Sequence, residues 1–221
     1  MPTRPWVLAI GWAGAVFAAT HAYTFRTIIE SNGLSEDMSE RLTFLGGAPA
    51  LFLIWLVAAV LLWIVLIAML PAVWRALGGG WAATVVVVLL FVAAATNLVG
   101  DGAQFPTLFL STRYASAPEA LRPGLEAAEL GVAQAASTLL GPGILPLFVG
   151  SALAAVLCAV RRPPAGRWYG LLILLFALAN IPLPGAIAFA ALNLILFGAF
   201  TLATARVLRG ETMGVAAASP S

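Results

Sequence analysis

Apolar residues in this chain run in long unbroken blocks. They show neither the alternation of a strand nor the one-sided stripe of a soluble helix. The blocks lie near 6–25, 49–70, 81–99, 143–160, 168–183 and 185–205. At 1.5 Å per residue, about 20 helical residues cover the ~30 Å hydrocarbon core of a bilayer. The pattern predicts an all-α, polytopic transmembrane bundle of about six spans. Val85 to Val88 are β-branched, but in lipid a helix is the form that satisfies the backbone, and no alternating series suggests a barrel. The block at 168–183 is the shortest. Residues 1–209 are expected to form one domain, with 210–221 as a flexible tail. The flanks of the first block fit a retained span and not a cleaved signal.

The intervening segments add detail. Residues 26–48 read as an acidic outer loop, in which Ser35 with Met38 and Ser39 with Leu42 could start short interfacial turns. Segment 71–80, with Pro71 and Gly78-Gly79-Gly80, reads as a tight inner hairpin. Phe105 to Leu110 is apolar but too short to span, so it is expected at the interface or as a re-entrant piece. Residues 125–140 carry a mixed helical pattern with Glu126, Glu129 and Gln134. Gly141-Pro142-Gly143 then predicts a break or sharp bend before the fourth span, with one kinked helix from about residue 125 as the alternative. Gly11 and Gly14 in the first block suit close helix packing.

Charge sorts by side. Arg4, Arg75, Arg161, Arg162, Arg167, Arg206 and Arg209 fall on one side, with only Glu211 among the acids. Arg26, Arg41, Arg113 and Arg122 fall on the other, with Glu30, Glu36, Asp37, Glu40, Asp101, Glu119, Glu126 and Glu129. The arginine-rich side is expected in the cytoplasm, which places both termini there. Charged residues make up 9% of the chain, against roughly 25% for soluble proteins, so lipid must replace water around most of it. The basic residues are few and juxtamembrane, so a pI near 9.2 is not a nucleic-acid signal and no nucleic-acid partner is expected. One cysteine, Cys158, excludes an intrachain disulfide and a cysteine cluster. No nucleotide loop, nucleophile elbow or zinc-protease helix is present, and no cofactor is expected.

Polarity concentrates in the outer halves of the blocks. His21, Tyr23 and Arg26 close the first, and Asn97 and Asp101 the third. Glu126, Glu129 and Gln134 precede the fourth, and Asn180 closes the fifth. Asn193 sits eight residues into the sixth, about 12 Å below the outer turn. Hydrocarbon offers an amide no partner, so these ten residues are expected either to share an outward-facing polar pocket or hydrogen-bonded cluster, or to serve as helix–helix hydrogen bonds and ordinary interfacial residues. His21 could act as a base if Asp101, Glu126 or Glu129 oriented it. Those groups lack a recognised metal-ligand spacing, and a structural histidine is the simpler reading.

The layout resembles small bacterial six-span membrane proteins of uncharacterised function. The resemblance rests on a first span near the N-terminus, the Trp-flanked inner hairpin at 71–81, and a mixed outer segment at 101–140 before three further spans. It implies a multi-pass protein of the bacterial cytoplasmic membrane and transfers no site residue. Three functions remain open: a binding or transport protein for a small amphiphile or lipid; a structural or accessory subunit with a membrane protein partner or a second copy; and a membrane-embedded enzyme using His21 with an outer carboxylate.

Overall fold

The apolar blocks form helices, because only a helix closes its own hydrogen bonds in hydrocarbon. The computed structural model describes residues 5–31, 33–161, 163–179, 181 and 184–209. In chain order the α-helices are α1 (Pro5–Glu30), α2 (Met38–Gly47), α3 (Pro49–Ala76), α4 (Gly80–Gly102), α5 (Phe105–Ser116), α6 (Arg122–Arg161), α7 (Arg167–Leu178) and α8 (Ala186–Leu208), with a short 3-10 turn at Glu119–Leu121. Among the described residues, five helical stretches are long and apolar enough to cross a membrane: Pro5–Glu30, Pro49–Ala76, Gly80–Ser116, Glu119–Arg161 and Ala186–Leu208. The chain is a polytopic helical membrane protein. Helix α7 has 12 residues, about 18 Å of rise. Arg4, Arg162, Asn180, Glu211 and the tail at 210–221 lie outside the described residues, as do Pro182 and Leu183.

Glycines set how closely neighbouring helices approach. A Cβ added to Gly14 of α1 would lie 2.6 Å from both Phe197 of α8 and Val65 of α3. Gly11 faces Thr201 of α8 in the same way. The packing expected of these two glycines is therefore present. Helices α4 and α6 meet where Gly143 abuts Thr96 and Asn97, Gly100 abuts Leu140, and Gly150 abuts Leu89. The closest backbone approach joins α6 to α7: a Cβ on Gly170 would strike the Ala154 carbonyl and come 2.6 Å from Ala155 Cα. Small residues take this role because lipid tails are as apolar as leucine, so close packing must drive association.

The structure bears on three sequence expectations. Helix α6 passes through Gly141-Pro142-Gly143 and Pro146 without interruption. Each proline removes one N–H, but neighbouring helices hold such a segment helical. Here α4 seats on Gly143 and Gly150, so the glycine serves packing where a break was expected. The acidic segment at 26–48 is largely helical: α1 extends to Glu30 and α2 occupies Met38–Gly47. Asp37 starts α2 by accepting the backbone N–H groups of Ser39 and Glu40. Phe105 begins a 12-residue helix, α5, that follows α4 after one short turn.

The two turns at the arginine-bearing end touch, with the Ala165 N–H donating to the Ala76 carbonyl at 3.3 Å. Gly78, Gly79 and Gly80 all have positive φ, at 87°, 66° and 77°. Only glycine adopts that run without strain, which accounts for the triple glycine of the hairpin. Trp74 closes it by donating to Thr84 Oγ1 at 3.0 Å.

Gly170→Ala should lower stability by about 3 kcal/mol, because the new methyl meets rigid backbone and not a movable side chain. Gly102→Ala, where an added Cβ meets nothing within 4 Å, should be neutral or slightly stabilising. Thermal unfolding in detergent checks both. Equal melting of the two variants would contradict the contact.

Candidate functional site

The outer polar residues divide among several separate contacts. The first is a cap built from α2, α5 and the outer half of α6. Helix α6 has 40 residues, about 60 Å, or twice the hydrocarbon thickness, so its outer half stands beyond the bundle. There Arg41 Nε of α2 lies 2.9 Å from Glu129 Oε1 of α6, with side-chain exposures of 9% and 0%. The approach is close but poorly aligned as a hydrogen bond, so the attraction is mainly coulombic. Buried Thr107 of α5 lies beside the same carboxylate. One turn earlier on α6, Glu126 accepts from Tyr114 Oη at 2.6 Å, and Tyr114 also reaches Ser39 at 3.0 Å. The Arg122 guanidinium covers the Tyr114 ring at 5.3 Å.

Below the cap, Asp101 of α4 accepts from Trp63 Nε1 of α3 at 2.8 Å, with both residues buried. Asn97 turns back onto its own helix, donating to the Ala93 carbonyl at 2.7 Å. Asn193 behaves alike: it donates to Phe189 at 3.0 Å and, over a long 3.5 Å, to the Ala179 carbonyl at the end of α7. Its described partners do not include His21, Asn97 or Gln134, and Asn180 is outside the described residues. Arg26 pairs with Glu30 at 2.8 Å, and the same Glu30 oxygen receives the Gly185 N–H at the start of α8. Tyr23 and Gln134 are exposed.

His21 packs among aromatic rings. Its centroid lies 5.7 Å from Phe25 and 6.1 Å from Trp55, nearly parallel to both. Its ring is within reach of the Trp55 backbone, yet Nδ1 has no well-aligned hydrogen bond. No His–carboxylate ion pair occurs among the described residues, where the ion pairs are Arg26–Glu30 and Arg41–Glu129. Nor do any three His, Cys, Asp or Glu residues among them come together as a metal-binding group. At mid-bundle a void of about 30 Å³ lies between Trp63, Ala94, Leu147, Ser151 and Phe176. Ser151 is fully buried and its hydroxyl has no partner. The void has room for about one water, far below the ~300 Å³ and more of a small-molecule site.

The sequence matches no protein-family model, and no curated protein or solved structure is significantly similar to it. Function must therefore be argued from the geometry. That geometry joins helices and aligns no reactive set. Arg41, Trp63, Tyr114 and Glu30 are partners that sequence reasoning missed. Asp37-Met38-Ser39-Glu40 is a capping-box pattern. Reading it would have started α2 at Met38 and put Arg41 on a helix instead of in a loop.

Removing one member of a buried pair strands the other charge. Arg41→Met or Glu129→Leu alone should cost about 3–5 kcal/mol, while the double replacement should recover most of that loss. Thermal unfolding of the four-member cycle measures it. Strictly additive losses would show that the two groups are not coupled.

Proposed function

We propose that this protein is a structural or accessory subunit of a membrane assembly, docking a neighbouring helix on the outer half of α6. One observation carries the reading. Gly124, Ala127, Ala128, Gly131 and Ala135 share one face of α6, and all are exposed. A Cβ on Gly124 or Gly131 would meet nothing within 4 Å. The spacing repeats small residues at intervals of four, the pattern that admits a close helix. Elsewhere in this chain glycines such as Gly11, Gly143 and Gly170 lie under a neighbouring helix. The occupant is a helix of a partner subunit or of a second copy. The outer polar residues support this reading, because they fasten the platform and do not line a ligand site.

The same reading takes six crossings, with both termini on the cytoplasmic side of the bacterial membrane. Helix α7 leaves a turn that touches Ala76, the last residue of α3. Helix α8 begins beside Glu30, the last residue of α1. Those ends lie on opposite faces of the bundle, which supports a crossing between Gly166 and Gly185. Arg75, Arg161 and Arg167 at the first face favour a cytoplasmic location for it.

A second reading, binding of an amphiphile or lipid at the outer side, is favoured by an open groove of about 440 Å³ lined by Pro49, Leu53, Phe105 and Phe109. Its walls are apolar, so it differs from the polar pocket expected from sequence. The enzymatic reading lacks a comparable observation, since His21 packs on aromatic rings.

Ala128→Cys in a Cys158→Ala background should cross-link in native membranes to a partner protein or to a second copy. Gly131→Leu should abolish that product without lowering the melting temperature. A monomer with no cross-linked product would overturn the docking proposal. For topology, an impermeant maleimide applied to intact cells should label Ala120→Cys and leave Pro164→Cys unreacted; both positions are exposed. The opposite labelling would reverse the orientation.

A further inference from the structure

We propose that the groove between α4 and α6 at the arginine-bearing end holds one anionic glycerophospholipid, with an acyl chain along its valine wall and its phosphate at Arg161. The groove has a volume of about 360 Å³ and is lined by Trp81, Val85, Leu153, Val156 and Val160, ending at Arg161. From Leu153 to Arg161 it runs about 12 Å along α6. Val156 and Val160 are strongly exposed, so no described helix covers them. A greasy wall of this kind fits a hydrocarbon chain.

The mouth is chemically different from the wall. Arg161 is exposed and makes no hydrogen bond or ion pair among the described residues. Every acid among them lies toward the opposite end, so the cation has no counter-charge among the described residues. Arg75 and Arg167 lie at the same end and are also exposed. Helix α4 begins beside this mouth, with Gly79 as its cap and no side chain accepting from its first N–H groups. Those donors and the positive helix end add to the attraction for a phosphate. Trp81, two residues on, is 81% exposed and sits where an indole anchors at a headgroup boundary. The same layout recurs across α4, where Trp74 and Arg75 end a groove walled by Ile67, Val88 and Phe91. Apolar wall, interfacial tryptophan and unpaired arginine together select an anionic over a zwitterionic lipid. The inference goes beyond the docking reading, since it uses the other end of α6 and requires no partner protein.

The test is fluorescence quenching of the full chain reconstituted in phosphatidylcholine vesicles. A minor fraction of brominated phosphatidylglycerol, or of brominated phosphatidylcholine as control, is added. The Trp81 contribution is the difference between the wild type and Trp81→Phe. One arginine at the lipid surface should enrich the anionic lipid at Trp81 about fivefold. Arg161→Gln should remove the enrichment and Arg161→Lys should retain most of it. Val156→Trp, which fills the groove without changing charge, should lower quenching of the Trp81 component by the anionic lipid. Equal quenching of wild-type Trp81 by the two brominated lipids would overturn the proposal, as would an enrichment that survives Arg161→Gln.

Discussion

Hydrocarbon supplies no hydrogen-bond partner, and nearly every feature of this molecule answers to that constraint. The backbone answers it by folding into helices. Many of the polar side chains within the spans answer it locally. Thr24 donates to Thr20, Thr96 to Val92, Asn97 to Ala93, Asn193 to Phe189 and Thr204 to Phe200, each to a carbonyl one turn back on its own helix. A deep amide in a span therefore need not imply a polar cavity. The expectation that Asn97 and Asn193 must meet other side chains overlooked this acceptor. Other contacts cross between helices, among them Trp63 with Asp101 and Tyr169 with Thr204.

Without water to drive apolar surfaces together, helix association depends on fit. The glycines record where that fit is closest. Under Thr201, Phe197, Asn97 and Ala154 an added methyl would collide, while on the outer half of α6 it would meet open space. This contrast within one chain gives the open Gly-Ala face its meaning.

Much of the architecture was legible because span length and hydropathy are set by bilayer thickness and do not depend on partners. The triple glycine of the inner hairpin was legible for a similar reason, since positive φ is a local demand. The course of α6 was legible only as an alternative, one long helix from about residue 125. Pro142 and the two flanking glycines are local break signals, and the packing that overrides them comes from α4, far away in sequence. The candidate site was only partly legible. Glu129 was singled out, but its partner Arg41 was assigned to a loop. Asp101 was expected among amides, whereas an indole holds it. Pairings of this kind depend on helix register, which a hydropathy pattern does not encode.

The two ends of the bundle treat charge in opposite ways. At the end away from Arg161, Arg26, Arg41 and Arg122 are engaged by Glu30, Glu129 and the Tyr114 ring. At the other end Arg75, Arg161 and Arg167 are exposed, without an ion pair among the described residues. Desolvation offsets most of the attraction in a buried pair such as Arg41–Glu129, so its main contribution is to fix how the outer half of α6 seats on α2. An exposed arginine has no such task, but it keeps its full reach toward an anionic headgroup. A buried pair thus fixes helix seating at one end, while Arg75, Arg161 and Arg167 keep their charge exposed at the other.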